Sequence, residues 1–102
     1  MDDDKYWHHW DECVDKYCDA LEQSRLAEQM LKANYAARFK AYKGSMGVEE
    51  AKQSVQNDRD YLEAHGEAVH AEVEKERAKL ALEKIRMRFS EWQTRSANRR
   101  RV

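Results

Sequence analysis

The residues with metal-ligand chemistry gather near the N-terminus, at His8, His9, Cys13 and Cys18. His9 and Cys13 are four apart, a spacing that on a helix can present two ligands to zinc. Cys18, five residues beyond Cys13, points well around such a helix. Two ligands do not close a tetrahedral site, and Cys13 beside Val14 and Tyr17 reads as packing. No metal or other cofactor is therefore expected, His9 and Cys13 being the candidates were one bound. Five residues apart on one helix, Cys13 and Cys18 lie too far apart for an unstrained internal disulfide, so they read as free thiols of a reducing compartment.

The second group able to do chemistry is the C-terminal run Arg86-Met87-Arg88-Phe89-Ser90-Glu91-Trp92-Gln93-Thr94-Arg95, continued by Arg99, Arg100 and Arg101. Guanidinium groups neutralise phosphates and aromatic rings stack on unpaired bases, so this mixture suits single-stranded DNA. Arg95, Arg99, Arg100 and Arg101 are the candidate contacts. Two opposing expectations come with them. Phe89 and Trp92 fall on an apolar heptad seam, where burial would remove a stacking platform. The segment 84–102 carries a net charge of +6 and the segment 1–22 a net of −6, so a chain folded back on itself would bring opposite charges together.

Catalysis is not expected. His65 and His70 lie five apart, and His65, lining a seam, reads as a buried polar histidine or as a register-setting residue. No nucleophile, base and orienting group converge, no glycine-rich phosphate loop occurs, and the carboxylates spread along helix faces.

The elements that must position these groups are helices. Proline is absent and only three glycines occur among 102 residues, so little interrupts a helix. With 41% hydrophobic and 38% charged residues, the chain can fill a narrow seam rather than a thick core. We expect one all-α domain over residues 1–102. A first helix spans about 5–43, with Gly44 as its C-terminal cap and a turn over 44–47. A short helix or a continuation covers 48–56, and a long helix follows over about 58–97, before a basic tail over 98–102. Asn57-Asp58 offers a cap that would separate the short helix from the long one; the sequence leaves both arrangements open.

In the first helix Trp10, Val14, Tyr17 and Leu21 follow heptad steps that later reach Leu31 and Tyr35, interrupted by Ser24, Glu28 and Arg38. In the last, Ala64, Ala68, Ala71, Lys75, Ala78, Leu82, Ile85, Phe89 and Trp92 repeat at 4, 3, 4, 3 spacing. Folding back at the turn should set Tyr35 against Ala64 and Trp10 against Phe89 and Trp92. A second stripe, Leu62, Val69, Val73, Leu80 and Met87, would stay uncovered in a lone antiparallel hairpin. A homo-oligomer is therefore expected, a dimer forming a helical bundle before other states. Tyr6, Trp7 and Trp10 are candidate anchors for another protein, set in an acidic face.

Gly47-Val48-Glu49-Glu50-Ala51 after a long first helix, followed by Arg88-Phe89-Ser90-Glu91-Trp92-Gln93-Thr94-Arg95-Ser96-Ala97-Asn98-Arg99, resembles a loose group of small helical bacteriophage proteins. These are commonly encoded near replication or recombination genes. The likeness covers the turn and last helix and does not extend to the N-terminal histidines and cysteines. It implies a non-enzymatic phage accessory protein of DNA metabolism, acting on single-stranded DNA or on a DNA-processing protein. The alternative expectation is a small inhibitor of a host enzyme or defence complex, bound through the acidic, aromatic N-terminal face. No apolar run approaches a bilayer span and Met1-Asp2-Asp3-Asp4 has the wrong charge for a presequence, so no membrane partner and a cytoplasmic location are expected.

Overall fold

Three helices follow the chain in the computed structural model, which describes residues 3–101 and the side chains of 3–100. They are α1 (Asp3–Lys43), α2 (Val48–Gln56) and α3 (Arg59–Arg101). Alanine, leucine, glutamate, lysine and arginine dominate α3 and make up nearly half of α1, and neither helix contains a proline. Helix propensity thus acts in the same direction along their whole length. The two form an antiparallel hairpin measuring 79 × 20 × 15 Å. None of its helices is long and apolar enough to cross a membrane among the described residues.

Helix α1 ends without a left-handed residue, since no glycine has a positive φ among the described residues. Gly44 is therefore not the cap expected of it. Instead the Ser45 amide donates to the Tyr42 carbonyl at 3.1 Å, tightening the last turn into an i to i+3 bond. Gly47 then enters α2 in extended backbone and caps it without a side chain. Glu49 and Glu50 lie in the first turn, where the helix dipole favours negative charge.

Asn57 and Asp58 break the chain between α2 and α3, which makes α2 a separate helix. Asp58 Oδ1 accepts the amides of Asp60 at 2.9 Å and Tyr61 at 3.2 Å, the bonding expected of an aspartate N-cap. Ala51 and Val55 on α2 are completely buried, and the short helix packs chiefly on α1.

The hairpin register differs from the expected one by about one turn. Tyr6, rather than Trp10, stacks on Phe89, at 3.9 Å between centroids. Tyr35 lies edge-on to Tyr61, one helical step before Ala64, at 5.7 Å. The polar residues of α1 explain the shift, because Ser24 is buried in the seam rather than interrupting it. Its hydroxyl donates to Glu72 Oε2 at 3.0 Å, and Lys75 pairs with the other oxygen of Glu72 at 2.9 Å. A buried hydroxyl needs a partner, and in this register Glu72 supplies one. Lys75 supports that carboxylate from within α3, its side chain only 21% exposed. His65 does not line the seam: it is exposed, with its ring beside Tyr61.

The basic residues expected as a tail are helical as far as Arg101. Nothing in Ser96-Ala97-Asn98-Arg99-Arg100 breaks a helix, and cations suit its C-terminal end.

Candidate functional site

Two regions of the hairpin have the makings of a site, the open end and a long groove. At the open end the heptad seams of α1 and α3 converge on aromatic rings. Tyr6 is 5% exposed and packs with Cys13 and Ile85, while Trp10, Leu82 and Phe89 close around them. Trp7 lies edge-on to Tyr6 at 5.0 Å and tilted against Phe89 at 5.7 Å. Trp92 also stacks on Phe89, at 5.6 Å with an interplanar angle of 28°. Burial raises the Tyr6 hydroxyl pKa, with Arg86 opposing the shift.

These placements revise the expected anchors. Tyr6 is not available to a partner, because its ring is covered by Phe89 and Trp10. Trp10 is partly buried against the same cluster. Trp7 remains half exposed. Trp92 is partly buried rather than sealed, so the seam does not remove it entirely from the surface.

Because Tyr6 sits opposite Phe89, Asp3 lies roughly level with Trp92, and among the described residues α3 extends past α1 by about nine residues, or ~13 Å at 1.5 Å per residue. Arg95, Arg99 and Arg100 occupy this overhang and are exposed. The side chain of Arg101, the fourth candidate, lies outside the described residues. Arg88, Trp92, Arg95 and Arg99 fall at helical steps of 4, 3 and 4, which places three cations and one indole along a single face. Among the described residues, none of Arg86, Arg88, Arg95, Arg99 and Arg100 forms an ion pair within 4.0 Å. Among the described residues, therefore, the ion pairing expected between the two charged ends is not seen within 4.0 Å at these five cations. The overhang carries most of them past the first turn of α1.

The candidate metal ligands separate. His8 and His9 face solvent beside Glu12, at 3.0 and 4.0 Å, whereas Cys13 turns into the seam and Cys18 is exposed. No group of three or more histidine, cysteine, aspartate or glutamate side chains could hold a metal ion among the described residues.

The groove, of about 780 Å³, runs along one side of the hairpin seam. Ala20, Ala27, Ala64 and Ala71 floor it, and Glu63, Glu67 and Glu74 line its α3 wall. Met30, 66% exposed, stands on the opposite wall. Asn34 lies between, with a buried Oδ1 that has no hydrogen-bond partner.

At the turn end, Asp58 gathers contacts that spacing alone did not reveal. Besides capping α3, it accepts the Tyr42 hydroxyl at 2.6 Å and lies 3.8 Å from Arg38, while Arg38 also pairs with Asp60. The Tyr42 hydrogen bond is the main cause holding the Asp58 carboxyl below its ordinary value, aided by the Tyr61 amide and Arg38. The same bond raises the Tyr42 hydroxyl. Capping chemistry at Asp58 was legible; its contact with Tyr42 and Arg38 depended on how α1 and α3 meet.

Comparison with protein-family models, curated proteins and solved structures found no match to this chain.

Proposed function

We propose that the protein is a non-enzymatic, oligomeric accessory factor that binds single-stranded DNA through the overhanging end of α3. A role in phage DNA replication or recombination follows the resemblance of its terminal segment. The observation that carries the reading is the one-face arrangement of Arg88, Trp92, Arg95 and Arg99, whose guanidinium groups form no ion pair within 4.0 Å among the described residues. An ordered helical stripe spends little further conformational entropy on binding than a flexible tail would. Cations held at helical spacing meet successive phosphates, and Trp92 offers a ring edge or face to an unpaired base.

The test is fluorescence anisotropy of labelled oligonucleotides, single- and double-stranded, titrated with the intact chain at several salt concentrations. Salt-dependent binding with preference for the single strand is expected. Absence of binding at low salt, with helicity retained, would remove the reading.

A second reading is supported by Trp7, half exposed at the edge of the aromatic cluster in a segment rich in aspartate. In it the same end engages a basic surface of a host or DNA-processing protein, with Trp7 as the anchor. Trp7→Ala separates the two, since it leaves the arginine stripe in place.

A further inference from the structure

Helix α3 carries a second heptad seam on the side away from α1. Leu62, Gly66, Val69, Val73, Glu76, Leu80, Glu83 and Met87 repeat at 4, 3, 4, 3 spacing, and Leu62, Val69, Val73, Leu80 and Met87 are between 42 and 65% exposed. We propose that this outer seam is the contact between two copies of the chain, crossing antiparallel, α3 on α3. The proposal gives the self-association part of the reading above a face and an orientation, and is independent of nucleic-acid binding.

Three observations argue for a second copy as the occupant. The first is area. A folded monomer of 12.2 kDa is expected to expose about 6,100 Å², but this chain exposes 8191 Å². The excess of roughly 2,000 Å² exceeds the ~800 Å² that each partner contributes to a standard stable interface.

The second is charge. From Arg59 to Glu76, α3 has six acids against two bases, and from Arg77 to Arg101 nine bases against two acids. Two parallel copies would set like charge on like. Antiparallel copies set the acidic half of each against the basic half of the other, with Arg77, Lys79, Lys84 and Arg86 flanking the seam at one end and Glu63 and Glu72 at the other.

The third is Gly66. Glycine inside a helix is unfavourable relative to alanine, and a Cβ added here would meet nothing within 4 Å, nor is its φ positive. Nothing within the hairpin calls for it. On an interface seam its lack of a side chain admits a neighbouring helix closely. An antiparallel crossing centred between Glu74 and Lys75 sets Leu62 on Met87 of the second copy, Val69 on its Leu80, and Gly66 against its Glu83 stem.

Sedimentation equilibrium of the intact chain over micromolar concentrations tests the assembly. A mass of twice 12.2 kDa is expected. Leu80→Glu and Val73→Glu each should weaken dimerisation at least about tenfold by burying a carboxylate without a partner. Orientation is read by disulfide trapping with Cys18 replaced by serine. Chains carrying Leu62→Cys should cross-link only when mixed with chains carrying Met87→Cys. A monomer at every concentration overturns self-association altogether. A dimer that survives both glutamate substitutions but dissociates with Met30→Glu overturns the choice of face and moves the contact to the alanine-floored groove. Cross-linking of Leu62→Cys chains alone overturns the antiparallel arrangement.

Discussion

The arginine stripe gives a quantitative handle on nucleic-acid binding. Each phosphate neutralised on a single strand contributes about −0.7 to the slope of log affinity against log salt. Three described guanidinium groups share the Trp92 face, at Arg88, Arg95 and Arg99. Contact by all three gives a slope of about −2.1, and thus an affinity loss of roughly 18-fold between 50 and 200 mM salt. The paired substitution Arg95→Gln and Arg99→Gln leaves one contact, a slope of about −0.7 and a loss of only ~2.6-fold over the same range. Both side chains are exposed and beyond the start of α1, so folding should be unaffected, as circular dichroism would verify. Anisotropy titrations at four salt concentrations supply both slopes. An unchanged slope in the double variant, with binding retained, refutes this stripe as the binding face.

Other outcomes follow from packing and capping. Val55→Ala removes two carbons from a fully buried side chain and should destabilise the chain by about 2 kcal/mol through lost burial and a residual cavity, measured by urea unfolding. Gly47→Asp supplies the side-chain cap that α2 lacks, in backbone that any residue adopts and with open space for a Cβ; a gain of a few tenths of a kcal/mol, on the order of 0.5, is expected. Asp58 and Glu72 have carboxyls held below their ordinary values, Asp58 chiefly by Tyr42 and Glu72 by Lys75 and Ser24. Their stabilisation is fully present above the unfolded values, and is lost as pH falls through the lower folded values, because the unfolded state binds protons first. Asp58→Asn should therefore flatten the acid limb of a thermal-stability profile, and an unchanged limb would count against that assignment.

The hairpin was legible because its signals were redundant: no proline, glycines at the turn, and a nine-position heptad in the last helix. Asn57-Asp58 reads as a possible cap, yet only the structure separates α2 from α3, since propensity alone permits a continuous helix across that point. Folding back symmetrically at the turn predicts Trp10 against Phe89, with Ser24 a gap in the seam. Its hydrogen bond to Glu72 selects the alignment instead, and such polar pairing has no signature at the level of one chain segment. Its place in an acidic run makes Tyr6 read as a surface anchor. It precedes Trp10 by four and Cys13 by seven, which is seam spacing. The Arg88, Trp92, Arg95 and Arg99 face was present in the spacing, but whether α1 would cover those cations depended on where α1 begins.

Among the described residues the buried apolar side chains of the rod fall in two separate places, Tyr6, Cys13 and Ile85 near one end and Ala51 and Val55 near the other, with the buried hydroxyl of Ser24 and its partners Glu72 and Lys75 between them. Two small nuclei joined by a polar middle need not melt as one. Their cooperativity is transmitted through the unbroken backbones of α1 and α3, and amide exchange should be slowest at the two nuclei and faster around Ala27 to Leu31. A proline introduced at Ala78 would cut one of these couplings, turning a single transition into two that are separately sensitive to Val55 and Ile85 substitutions.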